Sequence, residues 1–278
     1  MSNEAIARFL GPLMAAHLYW WSEAIFRPAK VSRKLKLHRP LAMGTLPRVK
    51  KREGLGPSLS TMYREPVYLR EIPEHYPLVE DFDSIAPLYE SAVLPFSGPI
   101  FSDMLTLLKP YLNTRIRILD PSCGPGTEAI KLAQTFPECE VIAADLSRGM
   151  VDYTASRAGD LSLTNMAFFQ SDVGDPNPLF ENYFDVIFCE LSFHHYPDAE
   201  AAIKGFKRCL RPDGVLIIGD PGPEWFNRLA KRFSDIADPG FIKHRTGAEF
   251  QTLCEAASFS SFFWVESLPG IGISVAQA

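Results

Sequence analysis

Residues 116–129 read Ile116-Arg-Ile-Leu-Asp120-Pro-Ser-Cys-Gly124-Pro-Gly126-Thr-Glu-Ala129, and how they are read decides the fold. A short apolar run ends in a carboxylate and passes through two glycines into a segment of helical character. Glycine lets the backbone approach a ligand that a Cβ would block. The N-terminus of the following helix offers free N–H groups to a carboxylate or phosphate. The turn alone suits two ligand types, because Gly124-x-Gly126-x-x-Ala129 also has the spacing of a dinucleotide fingerprint.

Working outward, the carboxylates separate the two. Asp145 closes the next apolar run, 19 residues after Gly126, where an acid accepts ribose hydroxyls in either ligand class. Asp172 follows a third run and can accept from an adenine amino group. Asp120 can face a ligand ammonium, which a nicotinamide cofactor does not require. Any one of these acids reads equally well as a solvated loop residue. Three acids at three successive strand ends suit a ligand with an amino-acid end, a ribose and an adenine.

The surrounding texture is an alternation of strands and helices. Strands are expected at Ile116–Asp120, Glu140–Asp145, Met166–Gln170, Phe184–Cys189 and Val215–Gly219. Helices are expected at Thr127–Phe136, Gly149–Arg157 and Ala199–Leu210, preceded by two more at Ser84–Tyr89 and Ile100–Leu112. Such alternation predicts a parallel, doubly wound α/β sheet of Rossmann-like form. Phe259–Glu266 and Ile271–Val275 flank Pro269-Gly270 and read as a closing hairpin.

Residues 1–80 differ from the rest. They hold 13 Lys/Arg against 7 Asp/Glu, whereas residues 81–278 hold 15 against 26. A helix is expected over Asn3–Phe26, broken near Gly11-Pro12. A basic stretch, 27–52, has ten Lys/Arg and no acid. Frequent Pro and Gly make residues 28–80 mostly irregular. The chain is therefore divided into a helical and irregular N-terminal extension, 1–80, and a ligand-binding domain, 81–278. Leu10, Leu13, Met14, Leu18, Trp20, Trp21, Ile25 and Phe26 beside the basic run suit a helix lying on anionic lipid. They suit equally a lid or homodimer contact, and either use shapes an apolar substrate pocket.

No run reaches the roughly 18 apolar residues of a spanning helix. The run Phe9–Trp21 lacks the basic start of a secretory leader. Five scattered cysteines without a CxxC pair predict reduced thiols, no metal site and a cytoplasmic location.

Four stretches together resemble the class I S-adenosylmethionine-dependent methyltransferases, and within them the ubiquinone/menaquinone-biosynthesis-like small-molecule group. They are Phe82–Tyr89, Ile118–Gly126, Phe184-Asp-Val-Ile-Phe-Cys-Glu-Leu-Ser-Phe-His-His-Tyr-Pro-Asp198 and Leu210-Arg-Pro-Asp-Gly-Val-Leu-Ile-Ile-Gly219. The resemblance implies a seven-stranded sheet whose last strand is antiparallel, and S-adenosylmethionine as cofactor. It implies that Asp120, Ser122, Gly124 and Gly126 hold the methionine end. It places Asp145 at the ribose with Leu146 and Met150 beside it, and Asp172 and Val173 at the adenine. Glu190 and Leu191 would lie beside the transferred methyl. Tyr89 can close over the cofactor, and reads equally well as a tyrosine that packs its helix. Ser122 departs from the family, which has glycine there. Asp120-Pro121 is shared with nucleic-acid amino-methyltransferases, but Glu190-Leu-Ser-Phe193 is not their second motif, so a nucleic-acid substrate is not expected.

Methyl transfer needs alignment and exclusion of water. An OH, NH or acidic CH acceptor also needs a base. His194, His195 and Glu190 are the candidates, although a His-His pair can equally be a packing element of its loop. The expected activity is methyl transfer to a small, hydrophobic molecule. The alternatives are a nicotinamide oxidoreductase, or a cofactor-binding module of the same fold without transfer.

Overall fold

The computed structural model describes residues 57–69, 86–109, 111–112, 115–222, 241–268 and 270–278, with the side chains of 86–96 excepted. The expected helix over Asn3–Phe26 and the basic stretch lie outside the described residues.

Five apolar runs form the parallel strands β1 (Arg117–Asp120), β2 (Glu140–Asp145), β3 (Met166–Gln170), β4 (Phe184–Glu190) and β5 (Leu210–Pro221). Each is buried nearly throughout, as expected when helices cover both faces of a parallel sheet. The hairpin strands are β6 (Ser261–Leu268) and β7 (Ile271–Gln277), joined through Gly270 at φ 91°. The sheet has the order β3-β2-β1-β4-β5-β7-β6, and β7 runs antiparallel to both of its neighbours. The seven-stranded, doubly wound architecture is therefore as the sequence predicts.

The helices are α1 (Leu59–Met62), α2 (Ala86–Leu108), α3 (Thr127–Thr135), α4 (Arg148–Asp160), α5 (Ala199–Cys209) and α6 (Gly247–Ala256). One face of the sheet packs α2, α3 and α4 through Ile100, Met104, Leu108, Ile130, Leu132 and Val151. The other packs α1, α5 and α6 through Leu59, Ile203, Phe206, Phe250 and Cys254. Ser147, Asp198 and Thr246 cap α4, α5 and α6, each accepting from a first-turn N–H. Such a cap contributes about 1 kcal/mol.

One expectation is corrected. The helices read as Ser84–Tyr89 and Ile100–Leu112 are one helix, α2, which runs past Pro95 and Pro99 and ends at Leu108. Ile100, Met104 and Leu108 recur on one buried face and hold the turns after the prolines to the sheet. The stretch 57–69, read as mostly irregular, is so apart from α1, and it is seated on the sheet. Val67 makes a parallel bridge to Phe169 on the edge strand β3, and Leu59 is buried in the core.

A buried polar clasp secures this stretch at the N-terminal ends of the strands. Arg117 Nε lies 3.1 Å from Glu140 Oε2, its Nη2 donates to the Pro57 carbonyl at 3.1 Å, and its guanidinium sits 3.9 Å from the Tyr183 ring centroid. Glu140 also accepts from Tyr183 Oη at 2.8 Å, Ser58 Oγ at 2.6 Å and the Ser60 N–H at 2.7 Å.

Candidate active site

The sheet order changes direction between β1 and β4. The helix after β1 packs one face and the helix after β4 packs the other. A crevice therefore opens beyond the C-terminal ends of these strands, where ligands bind in open α/β sheets. Asp120 and Glu190 are the last residues of the two strands.

The glycine turn between β1 and α3 is held from behind by α4. Thr154 Oγ1 donates to the Gly124 carbonyl at 3.0 Å, and Arg157 Nη1 donates to the Pro125 carbonyl at 2.6 Å. Gly126 has φ 79°, and a Cβ there would stand 2.2 Å from Thr154 Cγ2. Gly126 thus serves the close approach of turn to helix as well as the left-handed conformation. Cys123 is buried and its thiol is pushed well up, first by burial and then by Asp145 and Asp120, so it is a protonated filler.

Asp145 organises the rim. Its Oδ2 accepts from the Gly124 N–H and its Oδ1 from the Ser147 N–H, both at 2.9 Å. A carboxylate oxygen can accept more than one hydrogen bond, as a ribose hydroxyl requires. Leu146 gives its carbonyl to Gln170 Nε2 at 2.9 Å, and Met150 is buried in the first turn of α4. Asp172 is buried and accepts the Gly174 N–H at 2.8 Å, with Val173 half-buried beside it. Tyr89 lies on α2, and its side chain is outside the described part.

Ser122 does not offer a free hydroxyl to the crevice. Its Oγ pairs with Tyr196 Oη at 2.6 Å, and the chain continues to Cys189 Sγ at 3.7 Å and on to Ser192 Oγ at 3.2 Å. The serine in the glycine position ties the turn to the loop after β4. Leu191, in that loop, has φ 49°, a left-handed conformation that costs a leucine about 1–2 kcal/mol. Its N–H is held by the Gly219 carbonyl at 2.8 Å.

Carboxylates converge at the C-terminal ends of β1 and β4. Burial first, then Glu128 and Asp145, push the Asp120 carboxyl well above the usual range, and the Ser122 N–H pulls the other way. Glu190 is raised likewise by burial, then by Glu128 and Asp120, against a weaker pull from Lys131 and from the Phe101 N–H, which is too distant or misaligned to make a full hydrogen bond. Neither Glu190 oxygen has a hydrogen-bond partner among the described residues, nor does Glu128 Oε1. Buried carboxylates without partners are costly, and a cationic ligand relieves that cost. A ligand with an ammonium and a sulfonium fits this end, and Asp145 and Asp172 fit its ribose and adenine.

A histidine cluster lies beyond the strand ends. His194 is buried in a short 3₁₀ turn (Phe193–His195), and its Nδ1 lies 2.7 Å from Oδ1 of Asp220, near the end of β5. An ionised carboxylate only accepts, so Nδ1 donates and the lone pair falls to Nε2. Asp220 is 2% exposed, and its Oδ2 has no hydrogen-bond partner among the described residues. Arg245 brings a positive charge to face Asp220, and burial lowers its own pKa. The His195 ring stacks on His194 at 4.1 Å between centroids, and His244 stands edge-on at 5.5 Å. The His194 carbonyl accepts the N–H groups of Ile242 and Lys243 at 2.9 and 3.1 Å.

Sequence reading missed Glu128, Tyr196 and Asp220. Asp220 carried a readable signal, an acid at the end of a strand as at Asp120 and Asp145. Tyr196 carried none, because its role depends on Ser122 across the turn.

Residues 112–257 match the family model described as a methyltransferase domain. The 27-O-demethylrifamycin SV methyltransferase of Amycolatopsis mediterranei is 30% identical over 151 residues, 53% of this chain and 55% of that protein. The uncharacterized methyltransferase YcgJ of Bacillus subtilis is 26% identical over 143 residues, 50% of this chain and 55% of that protein. The chain spans about half the length of the curated relatives it matches. Among solved structures, a SAM-dependent methyltransferase from Aquifex aeolicus has the same fold with a TM-score of 0.52 and 20% identity. That alignment covers 72% of this chain and 96% of that one.

Proposed function

We propose, for a chain that belongs to the methyltransferase-domain family, that it transfers the methyl group of S-adenosylmethionine to a small, hydrophobic acceptor carrying a proton to be lost. The family premise agrees with the sequence reading of the fold and the cofactor. The acceptor and the residues that serve it are our own reading.

Bound S-adenosylmethionine supplies a methyl group already activated on a sulfonium. Asp120, Glu128 and Glu190 lie where they would favour its positive charges, Asp145 would accept the ribose hydroxyls, and Asp172 would accept from the adenine. The observation that carries the acceptor reading is the His194–Asp220 contact. Asp220 fixes the tautomer and orientation of the imidazole, and its charge favours the imidazolium that forms. His194 Nε2 would take the proton that an acceptor OH or NH sheds as it is methylated. A carboxylate acceptor would need no such base. The apolar character of the acceptor is supported by the Trp- and Leu-rich extension.

The test is single-turnover transfer of labelled methyl to panels of phenolic, enolic and carboxylic acceptors, with His194→Gln and Asp220→Asn alongside. We expect activity on a protic acceptor and a loss of about 10²–10⁴ in rate for His194→Gln, with cofactor affinity retained. Turnover of carboxylic acceptors alone, unaffected by either substitution, would overturn the base assignment. Binding of a nicotinamide cofactor in place of S-adenosylmethionine would overturn the whole reading.

A further inference from the structure

The stretch Pro57–Leu69 touches the sheet at both of its ends. Ser58 and Ser60 are clasped by Glu140 at the N-terminal ends of the strands. Val67–Leu69 then lie along the C-terminal end of β3. The Val67 N–H donates to the Phe168 carbonyl at 2.9 Å, and the Gln170 N–H donates to the Val67 carbonyl at 2.7 Å. The next contact passes through a side chain. The Leu69 N–H donates to Gln170 Oε1 at 3.2 Å, and Gln170 Nε2 donates to the Leu146 carbonyl at 2.9 Å. Gln170 is 4% exposed, so water does not readily replace either partner. A second contact reaches α4, where Tyr68 Oη donates to Asp152 and the Arg148 guanidinium lies 4.2 Å from the Tyr68 ring centroid. Arg148 and Asp152 are themselves paired at 3.7 Å. α4 starts directly after Ser147, whose N–H is held by Asp145.

We infer that Val67–Leu69 form a strap that sets the adenosine side of the cofactor site, with Gln170 as the positioning residue between strap and site. The inference rests on the cofactor reading above, which puts the ribose at Asp145 with Leu146 and Met150 beside it, and the adenine at Asp172. Leu146 is held by the same amide that holds the strap, and the first turns of α4 are held by Tyr68. Releasing the strap leaves Gln170 Oε1 without a partner and frees the amide to turn away from Leu146. The segment 145–150 then has to be ordered by the ligand itself, which weakens binding.

The test uses the full chain with Tyr68→Phe, Val67→Pro and Gln170→Leu, each measured by calorimetric titration with S-adenosylhomocysteine and by amide hydrogen exchange. Tyr68→Phe removes only the Oη donor. Val67→Pro removes the N–H given to Phe168. We expect Kd to rise about 3-fold for Tyr68→Phe and about 10-fold for each of the others, with faster exchange at residues 146–150. The Val67→Pro/Gln170→Leu pair should cost about as much as either change alone, because both act through one contact. Gln170→Glu keeps an acceptor for the Leu69 N–H but loses the donor to Leu146. It should leave the strap protected while 146–150 exchange faster. Unchanged Kd and exchange in Tyr68→Phe and Val67→Pro would overturn the inference. If the unsubstituted protein fails to bind S-adenosylhomocysteine, the cofactor reading fails, and exchange at 146–150 in the strap variants still decides whether the strap orders that segment.

Discussion

The protein buries two polar clusters at opposite ends of one sheet, and they are built on opposite terms. At the N-terminal ends, Glu140 accepts from Ser58, Ser60 and Tyr183 and pairs with Arg117. At the C-terminal ends, Glu190 and Glu128 present buried oxygens without hydrogen-bond partners among the described residues, beside a buried Asp120. Both clusters bear carboxylates at the ends of β strands. The first is closed on itself and holds the chain together. The second is left open, at a cost that the proposed cationic ligand would relieve. Where a buried acid finds its partners thus separates a fastening from a binding site, which a count of buried charges would not do.

The contrast can be broken first at the closed end. Glu140→Ala strands Arg117 and several donors, and should lower stability by about 3–5 kcal/mol in urea unfolding. Affinity for S-adenosylhomocysteine, measured well below the transition, should change little. A small stability loss would mean the clasp is ornamental. At the open end, Asp145→Ala should weaken cofactor binding by about 100-fold or more, since hydrogen bonds to a charged group are among the stronger ones. Retained affinity would remove the ribose assignment.

The smallest and most diagnostic change is Glu190→Gln. It should raise the melting temperature of the ligand-free protein by about 2–4 °C, while loosening S-adenosylmethionine binding severalfold. A pH series sharpens this. The folded state raises the Glu190 carboxyl well above its usual value, so it keeps its proton longer than the unfolded chain does. That contribution to stability is complete below about pH 4, the usual glutamate range. It is lost as pH rises through the raised folded value. Cofactor binding, which favours the charged carboxylate, strengthens over the same window. Asp120 acts in the same direction. The Glu190→Gln protein should show a shallower fall in melting temperature with pH, and an identical slope in both proteins would remove Glu190 from the account.

Much of the fold was legible because parallel strands covered on both faces must be apolar from end to end. Ile118-Leu119, Val141–Ala144 and Val186–Cys189 carry that signal in consecutive residues. The stretch 57–69 was not legible, because it is seated by single contacts at Ser58, Ser60, Val67 and Leu69 that have no periodicity. The continuity of α2 was hidden by Pro95 and Pro99, since a proline rule sees the lost hydrogen bond but not the tertiary packing that outweighs it. In the site, acids at strand ends stood out one strand at a time. The pairing of His194 with Asp220 depends on β5 running on to Pro221, two residues past its expected end.

β7 enters the sheet between β5 and β6, although β6 precedes it along the chain. During synthesis, β6 therefore has no strand to pair with until residues 271–277 have emerged. Through that interval the Leu216-Ile217-Ile218 side of β5 is an unpaired, apolar edge of the kind that templates aggregation. The sheet is zipped shut by its last-made strand, so a chain stalled or clipped before Ile271 would keep its glycine turn and its acids yet emerge as a sticky, half-closed domain.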